Sequence, residues 1–267
     1  MSESIAQIAR FVEDMATQSG AVILPHFRSG VVSDDKSDGG VFDPVTEADR
    51  AAEIVLRGAI RQAFPGHGII GEEFGVENGG ADYVWLLDPI DGTKSFISGL
   101  PLWGTLIGLQ HLGRPVYGMM HQPFTRERFY GDGVSAYWSG LDAAGTRLVR
   151  PLRTRSCTGL GAATIMTTSP LLLQGGHLDK YRKVENQTRL HRYGGDCYAY
   201  CMLAAGHIDL VIEAGLKAYD IAALIPVIAG AGGIVTTWDG GDAAQGGAIV
   251  AAGDARVHAA ALELLAG

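Results

Sequence analysis

The stretch Trp85-Leu86-Leu87-Asp88-Pro89-Ile90-Asp91-Gly92-Thr93 constrains this chain more than any other. The apolar run over 83–87 reads as a buried strand, and it ends in a carboxylate. Pro89 has no N–H for a sheet ladder, so a turn is predicted there. Asp91 then follows three residues after Asp88. Two carboxylates on one tight turn repel each other strongly in a low dielectric. A divalent cation between them removes that penalty. Hard oxygen donors with no neighbouring His or Cys point to Mg²⁺ rather than zinc. Gly92-Thr93 offers backbone N–H groups to an anion, as a helix N-terminus does.

Two more segments deliver carboxylates in the same way. Gly71-Glu72-Glu73 follows the short apolar run Gly68-Ile69-Ile70, and Asp220 opens the helical stretch Ile221-Ala222-Ala223-Leu224. Each has a plain reading too. Asp88-Pro89 and Asp91-Gly92 are common turn pairs, Glu72-Glu73 is an ordinary solvated pair, and Asp220 suits a helix N-cap. Thr46-Glu47-Ala48-Asp49 fits a capping box with Thr46 as N-cap. The conjunction is what matters: three carboxylate segments sit at strand ends or helix starts, where α/β folds bind ligands.

The rest of the chain is consistent with such a fold. Helices are predicted over 3–19 (Ile5, Ile8, Phe11, Val12 and Met15 on one stripe), 47–63, 196–205, 219–231 and 256–265. Strand-like pieces at 102–110, 114–120 and 126–130 form an antiparallel meander, whereas strands and helices alternate after 160. The expectation is an α/β protein with an α+β half over 1–150 and an α/β half over 151–267. Residues 29–40 read as a polar, mobile loop. With 29 Asp+Glu against 21 Lys+Arg the chain carries a net −8 and no basic run, which argues against nucleic-acid partners. No run of about 18 apolar residues is present, so no membrane span is expected. Three scattered cysteines and a start without a basic, apolar leader suggest a reduced, cytoplasmic protein.

These motifs resemble the inositol monophosphatase superfamily of Mg²⁺-dependent, Li⁺-sensitive phosphatases. The resemblance runs through Asp43-Pro44-Val45-Thr46-Glu47-Ala48-Asp49, Gly71-Glu72-Glu73, Trp85 to Thr93, and Tyr219-Asp220-Ile221-Ala222-Ala223 with Gly232-Gly233. Tyr219 stands where the superfamily usually has Trp. Within the superfamily the chain is most similar to bacterial histidinol-phosphatases, on Lys94–Trp103, Arg192–Tyr198 and Leu216–Asp220. The resemblance implies a layered αβαβα sandwich of the inositol monophosphatase / fructose-1,6-bisphosphatase type and a homodimer. It also implies two to three Mg²⁺ ions, replaceable by Mn²⁺, on Glu72, Asp88, the Ile90 carbonyl, Asp91 and Asp220. A metal-activated water near Glu72 would attack in line, oriented by Thr93 hydrogen-bonded to Asp49. The phosphate would lie on the N–H groups of Gly92 and Thr93, next to Asp91.

A small phosphorylated alcohol is then the expected substrate, and its alcohol is read elsewhere. Histidinol carries an ammonium group and an imidazole, so its site should offer acceptors or negative charge. Asp196, after Gly194-Gly195, and Glu213, ending the strand 208–212, are the candidates; Arg192 is expected to pair with Asp196 or to reach a partner subunit's ligand. The plain readings are a helix cap for Asp196 and a solvated strand end for Glu213. Lys36, in the polar loop, is a candidate to close over the phosphate. The rivals are inositol-1-phosphate, a nucleotide 3′-phosphate or a sugar bisphosphate as substrate, and a metal-binding scaffold without activity. A haloacid-dehalogenase mechanism is disfavoured: its two aspartates have one residue between them, where Asp88 and Asp91 have two.

Overall fold

A computed structural model describes residues 4–30, 33–36 and 44–267. Asp43 of the first motif, residues 31–32 and 37–40 of the polar loop, and the first three residues lie outside the described residues.

In chain order the strands are β1 (Ser33–Asp35), β2 (Pro44–Thr46), β3 (Gly68–Gly71), β4 (Gly75–Glu77), β5 (Tyr83–Asp91), β6 (Gly104–His111), β7 (Arg114–Gln122), β8 (Glu127–Gly131), β9 (Ala136–Leu141), β10 (Arg147–Pro151), β11 (Thr164–Thr167), β12 (Leu190–Tyr193), β13 (Leu210–Leu216), β14 (Ile234–Thr237) and β15 (Gly247–Ala252). The helices are α1 (Ile5–Ile23), α2 (Glu47–Ala63), α3 (Thr93–Ile97), α4 (His177–Glu185), α5 (Asp196–Ala204), α6 (Ala218–Ile221), α7 (Leu224–Gly230) and α8 (Ala255–Ala266). Among the described residues the first large sheet has the order β10-β9-β8-β7-β6-β5-β3-β4 and the second β12-β11-β13-β15-β14.

The layers follow from which faces are apolar. α1 and α2 bury Ile8, Val12, Met15, Leu56 and Ile60 against Trp85, Leu87 and Ile107 on one face of the first sheet. Its other face (Leu106, Met120, Phe129) packs with Cys201 and Leu203 of α5, Val227 of α7 and Val211 of the second sheet. α4 and α8 cover the far face of that sheet through Tyr181, Val184, Val257 and Ala261. The result is an αβαβα sandwich. Cys197 and Cys201 lie in the middle layer as small apolar residues, both buried.

α2 spans 47–63 as the periodicity predicts, and Thr46 and Asp49 make a reciprocal capping box at its start. Three expectations need correction. Pro89 makes no turn: β5 continues to Asp91, and the register against β6 slips between Asp88 and Asp91. Such an irregularity accommodates Pro89, which the ladder cannot pair. The helix expected over 219–231 is two helices, α6 and α7, broken at Ala222–Ala223. β9, β10, α4, β12 and β15 come without a predicted counterpart. β12 is exposed throughout and α4 is polar, so neither has a clear apolar pattern.

Candidate active site

A cavity of about 550 Å³ opens where the two sheets present β5, α3, β13 and the start of α6, and Glu72, Asp88, Ile90, Asp91, Gly92, Thr93, Asp196, Glu213 and Asp220 all line it. Residues separated by up to 148 positions thus meet, 72 against 220. β5 carries Asp88 and Asp91 to its C-terminal end, and one extra residue at the register slip, Pro89-Ile90 lying against Thr105 alone, lets both reach the cavity. β3, parallel to β5, delivers Glu72 beside them; the Glu72 N–H donates to the Leu87 carbonyl at 3.1 Å.

Asp88, Asp91 and Asp220 each bring a carboxylate oxygen within 4.8 Å of the others. Burial, together with the charges of Glu72, Asp91 and Asp220, pushes Asp88 well above the ordinary carboxylate range. Burial and the neighbouring Asp196 and Asp220 do the same to Asp91, although the Cys197 N–H donates to its Oδ2 at 2.6 Å. Burial raises Asp220 to about 7, against the Lys217 N–H that donates to it at 2.6 Å. Three crowded, desolvated carboxylates are unfavourable as they stand, even with the charges of Lys217 and Lys36 acting on Asp220. Their all-oxygen donor set fits a hard divalent cation.

The other end of the cavity is built differently. Asp196 is the first residue of α5 and has φ +43°, a left-handed conformation uncommon for aspartate. Its Oδ2 accepts from Ser95 Oγ at 2.7 Å. It therefore does not cap α5, whose N-cap is Gly195. Glu213 is no solvated strand end: it is buried inside β13, where Thr168 N–H donates to Oε1 at 2.6 Å and Thr167 Oγ1 to Oε2 at 3.2 Å. Burial lifts its carboxyl to about 7 despite those bonds. Gly92 joins the two ends. It has φ +85°, and a Cβ there would lie 3.0 Å from Asp196 Cβ.

Several of the partners expected above are replaced by others. Thr93 Oγ1 donates to the Ile90 carbonyl at 3.0 Å, not to Asp49. Asp49 is buried; its Oδ2 accepts from the Thr46 N–H and Oγ1, while its Oδ1 is without a partner among the described residues. Burial raises Asp49 to about 6. Arg192 lies exposed on the edge strand β12 and does not line the cavity, and Asp196 pairs with Ser95 in its place. Lys36 Nζ binds Glu72 Oε1 at 2.7 Å and Glu73 Oε1 at 2.9 Å, at the acidic end rather than over an anion. Lys94, Gln174 and His177 also line the cavity. Gln174 and His177 come from a segment with no motif. Ser95 stands two residues after Thr93, and nothing in its spacing reveals a partner 101 residues away.

A family model described as the inositol monophosphatase family matches residues 4–266. The chain belongs to the inositol monophosphatase family. It is 44% identical over 263 residues to the Arabidopsis thaliana protein named bifunctional phosphatase IMPL2, chloroplastic, covering 94% of this chain and 72% of that one. It is 34% identical to the histidinol-phosphatase of Mycobacterium tuberculosis, over 78% of this chain and 79% of that one. A solved inositol monophosphatase structure from Zymomonas mobilis matches at a TM-score of 0.87 and 37% identity, with all of both chains covered. The αβαβα sandwich is accordingly the family fold, and the chain is a phosphatase of this metal-dependent family, with the acidic cluster of Asp88, Asp91 and Asp220 in its cavity. No helix among the described residues is long and apolar enough to cross a membrane.

Proposed function

We propose that this phosphatase hydrolyses L-histidinol phosphate to L-histidinol and phosphate, in histidine biosynthesis. The observation that carries the reading is the second carboxylate pair. Asp196 and Glu213 line the same cavity as the acidic cluster and are held by neutral donors; burial raises both carboxyls, Glu213 to about 7, and a cationic ligand would draw them to the charged form. A cationic alcohol suits that end, and a second phosphate does not. The histidinol-phosphatase relative supports the same choice.

The residues divide the work as follows. Glu72, Asp88, the Ile90 carbonyl, Asp91 and Asp220 would hold two to three Mg²⁺ ions, or Mn²⁺ in their place. Bound there, such ions supply charge neutralisation and lower the pKa of a water. Thr93 orients the attacking water, and the free Oδ1 of Asp49 is our choice of acceptor for the Thr93 hydroxyl. No side chain caps α3, so the N–H groups of Gly92 and Thr93 are available to the phosphate beside Asp91. Asp196 and Glu213 take the ammonium and imidazole of the leaving alcohol. Arg192 enters this scheme only from a second subunit. A cytoplasmic, Li⁺-sensitive homodimer belongs to the same reading; light scattering and LiCl titration test the last two parts.

The alternative is inositol-1-phosphate, which the Zymomonas mobilis neighbour favours by its name. Phosphate release with Mg²⁺ across histidinol phosphate, inositol-1-phosphate and fructose-1,6-bisphosphate decides between them. A clear preference for histidinol phosphate is expected, and a preference for either other ester overturns the assignment.

A further inference from the structure

One face of α2 carries three polar residues at four-residue spacing: Asp49, Glu53 and Arg57. All three are buried, and Glu53 is 0% exposed. Glu53 Oε2 accepts the N–H of Glu73 at 2.8 Å, and its Oε1 accepts the N–H of Phe74 at 3.2 Å and Nε of Arg57 at 2.7 Å. Arg57 Nη2 then donates to the Gly75 carbonyl at 2.5 Å. A single helix therefore grips both ends of the turn between β3 and β4. Gly71 allows the approach, since a Cβ there would lie 2.0 Å from Glu53 Oε1.

A buried ion pair is a poor means of merely stabilising a helix against a sheet, because desolvation offsets the attraction. Apolar residues of similar volume would pack as well. They could not accept the N–H groups that immediately follow Glu72. The Glu72 N–H is itself bound to the Leu87 carbonyl, so the backbone around Glu72 is held from both sides. Its side chain is held separately, by Lys36 Nζ on Oε1 at 2.7 Å. We propose that Glu53 and Arg57 are positioning residues that set the divalent-cation affinity of the Glu72 end of the cavity. This rests on the reading of Glu72 as a metal ligand. Neither residue lines the cavity. They act by removing the cost of ordering the ligand-bearing turn, as partners behind metal ligands do, typically for about 10–100-fold in affinity.

The test is calorimetric titration of the substrate-free protein with Mn²⁺. Glu53→Leu combined with Arg57→Met removes the grip without leaving a buried charge unpaired. Its Mn²⁺ Kd is expected to rise about tenfold or more, with the thermal midpoint in EDTA near that of the parent. The Mg²⁺ concentration for half-maximal phosphate release rises in parallel, and kcat at saturating Mg²⁺ changes less. Glu53→Gln, which keeps the volume and one acceptor, is the second variant should the pair not fold, and it moves Kd in the same direction. Glu72→Gln is titrated alongside. If Glu72→Gln weakens Mn²⁺ and the folded clamp variants do not, the positioning role is overturned. If Glu72→Gln leaves Mn²⁺ affinity unchanged, the ligand reading beneath it falls instead.

Discussion

The two ends of the cavity bury carboxylates alike but surround them with different neighbours. At one end Asp88, Asp91 and Asp220 crowd within 4.8 Å of one another, and burial together with neighbouring carboxylates, Glu72 among them, raises all three. At the other, Asp196 and Glu213 are each bound by hydroxyl or backbone donors from Ser95, Thr167 and Thr168. A cluster of oxygen donors that repel one another fits a hard divalent cation. A carboxylate held by neutral donors is oriented in advance, although burial raises these two as well, Glu213 to about 7. On the proposed function the same residue type would serve phosphate chemistry at one end and alcohol recognition at the other, with its neighbours making the difference.

Four measurements strain that contrast, and the largest effect belongs to the crowded end. Asp88→Asn should lower kcat by roughly 10³-fold, the scale of losing a preorganised charge-stabilising group. The folded state should persist, since one of the repelling charges is removed; near-parental turnover by phosphate release would break the metal assignment. At the other end, Asp196→Asn should act on selectivity. The preference for histidinol phosphate over inositol-1-phosphate, measured as the ratio of kcat/KM values, should fall about 10–100-fold, as for a lost bond to a charged group. An unchanged ratio would mean that this end does not read charge.

The third effect is a pH dependence. Glu213 has its carboxyl raised from 4.5 to about 7, chiefly by burial, so the folded protein binds this proton more tightly than the unfolded chain does. The stability due to this group is therefore complete below pH 4.5 and is lost as pH rises through about 7. Glu213→Gln should raise the thermal midpoint of the metal-free protein at pH 8 relative to the parent, and leave it nearly unchanged at pH 4.5. The reverse ordering would show that Glu213 is stabilised as an anion. The smallest effect is expected at Arg192, which is exposed on the edge of the second sheet. Arg192→Ala should change kcat/KM by less than about twofold, as for other surface positions. A larger loss would indicate that a second subunit brings Arg192 to the site.

The crowded end was largely legible from the chain. An apolar run ending in Asp88, a second ending in Glu72, and Asp220 at a helix start are local patterns that can be read without long-range information. The same holds for α2, whose Thr46 cap and apolar stripe set its limits. The Asp196 end was legible only in part. Asp196 and Glu213 could be named, but their donors Ser95 and Thr167–Thr168 lie 101 and 45 to 46 residues away, and no periodicity links them. Pro89 misled for a related reason. Its missing N–H predicts a turn locally, whereas pairing with β6 on either side carries β5 through it.

The sequence by itself determined the inventory: the family motifs, an αβαβα set of elements, and carboxylates at strand ends where an oxygen-ligand cation site can form. Short-range physics suffices for that, because strand alternation, helix period and capping involve residues a few positions apart. Only the tertiary structure decided who neighbours whom. Sheet order brought Glu72 beside Asp88, the middle helix layer brought Asp196 against Gly92, and the packing of α2 put Glu53 and Arg57 behind the Glu72 turn. Contacts across a fold depend on register and layer stacking summed over the whole chain. A carboxylate's charge state depends on those contacts, so the state that governs its chemistry is set in three dimensions and not along the chain.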